Sequence, residues 1–200
     1  MTIDAFGTLL TLSDPVPALQ AALGAAGAER SADEVRRAFE AEVAYYVPRA
    51  HEGRDEATLA LLRRDCAAVF LDAAGADGVD PDAFPFVGSL EFELVPGGRR
   101  VCDELSQAGL KLAVISNWDI GLGASVRRLG LDVPVITSAE AGTAKPHPAV
   151  FELALSRLGV FDPARAVHVG DSPADAKGAA AAGMRFEPAP LSDAARKILA

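Results

Sequence analysis

Three short segments, Lys111 to Ile115, Val133 to Thr137 and Ala166 to Val169, are apolar on nearly consecutive residues instead of alternate ones. A strand of that kind must be covered on both faces, which is the condition of a parallel sheet packed between two helical layers. The intervening sequence agrees. A helix opened by Pro96-Gly97 and closed by Gly109 precedes the first segment, and helices over about Leu122–Leu129 and Pro148–Leu158, the second stopped by Gly159, separate the others. Ala174 to Ala182 follows as another helix, and Thr2-Ile3, within residues 1 to 4, supplies a very short further strand. The predicted class is α/β, a doubly wound parallel sheet in a three-layer α/β/α sandwich.

Between the first strand and the rest the rhythm is helical. Pro15 to Ala28 reads as a helix ending near Gly27, and Ser31-Ala32-Asp33-Glu34 has the form of a capping box before Val35, Phe39, Val43 and Tyr46 at helical spacing. A third helix runs from about Asp55 to Ala74, with Leu59, Leu62, Cys66, Val69 and Phe70 on one face, and the stretch from Gly75 to Pro85 breaks it. The expected organisation is a discontinuous core, residues 1–12 and 92–200, carrying a helical insertion over 13–91. After Gly183-Met184-Arg185-Phe186 the sequence shows little strand, so the last strand is expected to be missing or reduced, with a short Leu191 to Leu199 helix at the end.

The formal net charge is −9 and the basic residues are scattered, which removes the electrostatic driving force for nucleic-acid binding. No apolar run reaches the roughly eighteen residues needed to span a bilayer, and an acid at position 4 is out of place in a secretory leader. The two cysteines, Cys66 and Cys102, lack metal-type spacing and suit packing in a reducing compartment. The expectation is a cytoplasmic protein, monomer or homodimer, whose partner is an anionic small molecule, with no nucleic acid and no membrane.

Ligands of such sheets bind beyond the carboxyl ends of the strands. There, in chain order, stand Asp4, then Ser116 with Asn117, Lys145, and Asp171 with Asp175. Each has an ordinary structural alternative: a turn for Asp4-Ala5-Phe6-Gly7-Thr8 or Ser116-Asn117, a solvated loop lysine before Pro146, a helix cap at Asp171. Together they are chemically complete for one task. A carboxylate at Asp4 can act as nucleophile, Lys145 can hold its charge and neutralise an anionic substrate, Ser116 can hydrogen-bond a transferring group, and Asp171 with Asp175 can help hold Mg²⁺.

Asp4-Ala5-Phe6-Gly7-Thr8-Leu9, Val114-Ile115-Ser116-Asn117, Lys145-Pro146-His147-Pro148 and Gly170-Asp171-Ser172-Pro173-Ala174-Asp175 resemble the four ordered motifs of the haloacid dehalogenase-like (HAD) hydrolase superfamily. The helical insertion resembles its cap. The resemblance implies a Rossmann-like core, an aspartyl-enzyme intermediate on Asp4 and a Mg²⁺ cofactor. It also implies a metal contact from the backbone carbonyl of Phe6, stabilisation of the transferring group by Ser116 and Lys145, and Asp171 as the chief metal acid supported by Asp175. Thr8, Asn117 and Trp118 are the expected substrate contacts in the core, with Arg37, or its neighbour Arg36, in the insertion.

One position departs from the phosphatase pattern. Phosphatases of the superfamily carry a second Asp two residues after the nucleophile as general acid and base; here it is Phe6, which cannot transfer a proton, a loss typically worth about 10²–10⁴-fold in rate. The superfamily's haloacid dehalogenases have an aromatic residue there, because halide leaves without a proton, but their fourth motif does not resemble Gly-Asp-x-x-x-Asp. The sequence reading favours a Mg²⁺-dependent phosphatase for a small phosphorylated metabolite. Its alternatives are carbon–halogen hydrolysis of the 2-haloacid dehalogenase type, and a phosphate-ester-binding protein with weakened turnover. His147 offers itself as a surrogate base or as a structural loop residue, and His168, mid-strand, as a satisfied core residue.

Overall fold

The computed structural model describes residues 1–200. Its fold divides into two compact units, residues 1–11 with 93–200, and residues 12–92.

In the first unit a five-stranded parallel sheet has the order β5-β4-β1-β6-β7. Here β1 is Thr2–Asp4, β4 Ala113–Ser116, β5 Val135–Thr137, β6 Val167–Gly170 and β7 Arg185–Pro188. The helices are α4 (Gly98–Gln107), α5 (Leu122–Arg128), the single turn α6 (Ser138–Ala141), α7 (Ala149–Leu158), α8 (Pro173–Ala181) and α9 (Leu191–Leu199). The three-residue β1 is viable because it is central, pairing with β4 through Thr2, Ile3 and Asp4 and with β6 through Thr2 and Ile3. Both of its edges are hydrogen-bonded and all three residues are buried.

Alternation along the strands divides the core into two layers. Ile3, Val114, Val167 and Val169 pack on one face with Val101, Leu105, Leu122 and Leu191. Ala113, Ile115 and Ile136 pack on the other with Val150, Phe151, Ala154, Leu155 and Ala179. On that second face α7 and α8 approach closely: a β-carbon on Gly178 would stand 2.3 Å from the ring of Phe151.

The expected loss of the last strand is corrected. Arg185–Pro188 forms a parallel strand in register with β6 over Val167–Gly170. An edge strand has one neighbour and one well-covered side, so its residues carry no apolar run to betray it. A ribbon of β2 (Leu10–Leu12) and β3 (Phe92–Leu94) carries the chain between the two units; these three-residue segments were also silent in the sequence.

The second unit contains α1 (Val16–Ala25), α2 (Ala32–Tyr46) and α3 (Glu56–Ala73), with a 3-10 turn over Val47–Glu52. Ser31 caps α2 in a reciprocal box with Glu34, and Asp55 caps α3 in a similar one with Thr58. Phe70 is fully buried and packs against Phe84 and Phe86 at ring separations of 5.7 and 5.1 Å, anchoring the loop that follows α3. Glu42, on α2, is buried here too. Burial pushes its carboxyl up to about 7, against the opposing pull of a hydrogen bond with Cys66 of α3. No helix is long and apolar enough to cross a membrane.

Candidate active site

At the carboxyl end of β1, Asp4 is buried and accepts a hydrogen bond from Lys145 Nζ at 2.5 Å through Oδ1. The same ammonium donates to Asp175 Oδ1 at 2.6 Å and to the Ile115 carbonyl at 3.4 Å, so its three protons are directed at three acceptors. Lys145 is held there from its backbone. Asn117, just after β4, accepts from the Lys145 N–H at 2.7 Å with Oδ1 and donates Nδ2 to the Lys145 carbonyl at 3.1 Å. The Asn117 amide, expected to meet substrate, is thus engaged in fixing the lysine loop.

Asp175 is the most heavily bonded group of the site. Its Oδ1 receives Lys145 and His168 Nε2, the latter at 2.9 Å, and its Oδ2 receives the Ser172 N–H at 3.1 Å and the Ser172 hydroxyl at 2.5 Å. Burial alone would raise this carboxyl; the hydrogen bond from His168, the charge and hydrogen bond of Lys145 and the Ser172 hydroxyl together hold it well below the usual carboxylate range. Asp4 moves the other way. Its burial outweighs the attraction of Lys145, and Asp175 and Asp171 repel its charge, so the carboxyl is raised to about 6.

Asp171 opens the loop after β6 and is exposed. It lies so close to Gly7 that a β-carbon there would stand 2.1 Å from Asp171 Oδ2, and Gly7 has φ +85°, so the position requires glycine twice over. Carboxylate oxygens of Asp4, Asp171 and Asp175 come within 4.8 Å of one another. An all-oxygen cluster of this kind suits a hard divalent cation such as Mg²⁺. Thr8 adds a buried hydroxyl with no hydrogen-bond partner beside the same loop, a group that a bound oxyanion or water would satisfy. Because each oxygen of Asp175 already takes two donors, Asp4 and Asp171 are the better-placed ligands.

The other anticipated residues are placed as follows. Ser116 is buried at the end of β4, next to Thr137 of β5. Phe6 is 50% exposed, with its ring 6.5 Å from that of Trp118 at an interplanar angle of 53°. The backbone of Trp118 is pinned by Ser138, whose hydroxyl accepts its N–H at 3.1 Å and donates to its carbonyl at 3.2 Å. His147 is exposed and its Nδ1 accepts the Ala149 N–H at 3.3 Å, an engagement that suits a loop residue better than a free base. Arg37 is an exposed residue of α2 in the helical unit. Sequence reasoning gave Thr2 and Ser172 no role in the site; that of Ser172 was recoverable, since Ser-Pro-x-Asp at a helix start is a capping box.

A parallel sheet with a carboxylate nucleophile candidate on its central strand, a buried lysine beside it and acids in the loop after β6 defines a hydrolase-type site of Rossmann-like architecture. The chain belongs to the haloacid dehalogenase-like hydrolases: the family model matches residues 1–183. A phosphoglycolate phosphatase of Rhodospirillum rubrum is 32% identical over 90% of this chain and 69% of its own. Haloacid dehalogenase-like hydrolase domain-containing protein 3 of Xenopus laevis is 46% identical over 39% of this chain, which spans about a third (33%) of that relative's length. The structure of a 2-haloacid dehalogenase from Pseudomonas syringae pv. Tomato DC3000 superposes with a TM-score of 0.60 at 28% identity, covering 92% of this chain and 83% of that one.

Proposed function

We propose that this hydrolase is a Mg²⁺-dependent phosphatase for a small, anionic phosphorylated metabolite, acting through an aspartyl-phosphate on Asp4. The observation that carries this reading is the buried Asp4–Lys145–Asp175 array with Asp171 set against Gly7. Asp4 engages Lys145 through Oδ1, so Oδ2 is the oxygen assigned to attack phosphorus. The new O–P bond forms as the bond to the ester oxygen breaks, and water then cleaves the acyl phosphate, returning Asp4 and inorganic phosphate. Lys145 offsets charge at the nucleophile and at the transferring group, and Ser116 is a hydrogen-bond donor for its oxygens. Asp4, Asp171 and the Phe6 carbonyl would hold Mg²⁺, which when bound supplies neutralisation of phosphate charge. The helical unit is assigned the part of a cap, with Arg37 as its candidate substrate contact.

Phe6 donates no proton to a leaving alkoxide, so substrates that leave as stabilised anions are favoured. A phosphatase among the relatives supports phosphoryl chemistry. Phe6 itself, with the similarity to a 2-haloacid dehalogenase, supports the second reading, displacement of halide from a 2-haloacid by Asp4. The test is p-nitrophenyl phosphate turnover with and without Mg²⁺ for wild type and Asp4→Asn, beside halide release from 2-chloropropionate. Mg²⁺-dependent phosphate release abolished by Asp4→Asn is expected. Metal-independent halide release would establish the second reading instead, and tight phosphate-ester binding without turnover would indicate a binding protein.

A further inference from the structure

His168 is fully buried in the middle of β6, and neither of its nitrogens faces solvent or a substrate. In the parallel register Thr2 of β1 lies directly beside it. The Thr2 hydroxyl meets Nδ1 at 2.9 Å and Asp175 Oδ1 meets Nε2 at 2.9 Å. The ring is walled by Phe151, edge-on at 5.0 Å between centroids, and by Phe186 at 6.4 Å. An ionised Asp175 can only accept, so Nε2 carries the proton. Full burial between Phe151 and Phe186 disfavours a charged ring, and the ammonium of Lys145 on the same Asp175 oxygen disfavours a second cation there, so the ring is neutral and Nδ1 accepts from Thr2.

We propose that His168, held as the Nε2–H tautomer by Thr2, is a positioning residue that fixes the Asp175 carboxylate and through it aims the Lys145 ammonium at Asp4. The order of contacts is Thr2 hydroxyl, His168 Nδ1 and Nε2, Asp175 Oδ1, Lys145 Nζ and Asp4 Oδ1, each link 2.9 Å or shorter. Gly170 makes room for it, since a β-carbon there would lie 2.4 Å from the Asp175 carboxyl carbon. Orientation is the point. Lys145 has three rotatable donors on a flexible stem and does not select its own direction, whereas a carboxylate pinned on both oxygens does. A fully satisfied buried network confers that rigidity, and partners standing behind a catalytic group typically alter activity about 10–100-fold when removed.

The inference rests on the reading of Asp4 and Lys145 as catalytic groups, and its test separates the two. In ¹⁵N-labelled protein, long-range ¹H–¹⁵N spectra are expected to show His168 as the Nε2–H tautomer and a slowly exchanging Lys145 ammonium signal. Thr2→Val is expected to disturb the first and broaden the second, and Thr2→Ser to restore both. With p-nitrophenyl phosphate, Thr2→Val should lower kcat about threefold to tenfold, the scale of one hydrogen bond, at nearly constant KM. His168→Leu should lower it roughly 10–100-fold, and His168→Gln, which keeps a donor toward Asp175, should recover most of the loss. An Nδ1–H tautomer, or a Lys145 signal and kcat unmoved by Thr2→Val in a folded protein, would overturn the proposal. If the wild type hydrolyses no phosphate ester, the assigned function fails, while the spectra still decide whether Thr2 and His168 set the lysine.

Discussion

Asp4 and Asp175 share one ammonium, that of Lys145, yet titrate in opposite directions. Asp4 has that single partner and is raised by burial to about 6; Asp175 has the same partner plus His168 and Ser172 and stays ionised far into acid. For Asp4 the folded value lies above its ordinary 3.8, so its contribution to stability is fully present below that pH and is lost as pH rises through about 6. Chemical denaturation without divalent metal should therefore favour Asp4→Asn over wild type progressively between pH 4 and 7.5, by up to about 3 kcal/mol. A stability difference constant over that range would contradict the raised value. Asp175 behaves oppositely, its contribution being present above 3.8 and lost only in strong acid.

Glu42 makes a similar case in the helical unit. Its carboxyl is raised from an ordinary 4.5 to about 7, so its contribution is fully present below pH 4.5 and wild type should lose stability as pH climbs from about 4.5 through 7, levelling off above that. The expected loss is up to about 3 kcal/mol, or a fall in Tm of roughly 5–10 °C. Glu42→Gln retains a polar group without a charge to bury and should flatten the profile. Thermal melts of both proteins across the range would check it.

Gly7→Ala should act through space on Asp171, the proposed metal acid. The new methyl would meet Asp171 Oδ2, and φ +85° adds a backbone cost of roughly 1–2 kcal/mol. Gly27→Ala is the control, because Gly27 has φ +78° and nothing within 4 Å of a β-carbon. Both should destabilise. Only Gly7→Ala is expected to raise the Mg²⁺ concentration for half-maximal activity, by about tenfold, since losing one hydrogen-bond-sized ligand interaction of 1–2 kcal/mol is of that order. An equal Mg²⁺ response in the two variants would refute the link to Asp171.

Phe6→Asp should install the proton donor that the site lacks. The position is half exposed and its ring rests at the edge of Trp118, so the change disturbs little packing. Alkyl phosphate esters, whose leaving groups need a proton, should gain about 10²-fold or more in kcat/KM, and p-nitrophenyl phosphate much less. The ratio of the two rates is the measurement. A uniform change in both would mean that position 6 does not face the leaving group.

The sheet and most helices were legible because doubly buried strands and amphipathic helices impose periodicity on sequence: Leu112 to Ile115 could hardly be anything else. Strand β7 escaped because an edge position demands no apolar run, and the β2–β3 ribbon because three residues are too few to show a period. Among site residues, Asp4, Lys145, Asp171 and Asp175 stood out by falling at strand ends or in the segments that follow them in a chemically coherent set, and the structure gathers them. The part of Asn117 in holding the Lys145 backbone did not show, nor did the link from Thr2 to His168. Both are contacts across more than 25 positions, 28 in the first case and 166 in the second, and nothing in the local sequence of either partner reports them.

Helix α8 carries Asp175 one turn before Gly178, and Gly178 meets Phe151 where no side chain fits. That packing contact is therefore a remote control on the chemistry: a residue larger than glycine must displace the Phe151 ring or push the helix away from α7, and the second course takes the carboxylate with it. A mutational scan scored by turnover would flag position 178 as if it touched substrate. Refolding the site around a larger residue there would require a smaller one at 151, so the two positions should vary as a pair, and their compatibility limits how this site can be redesigned.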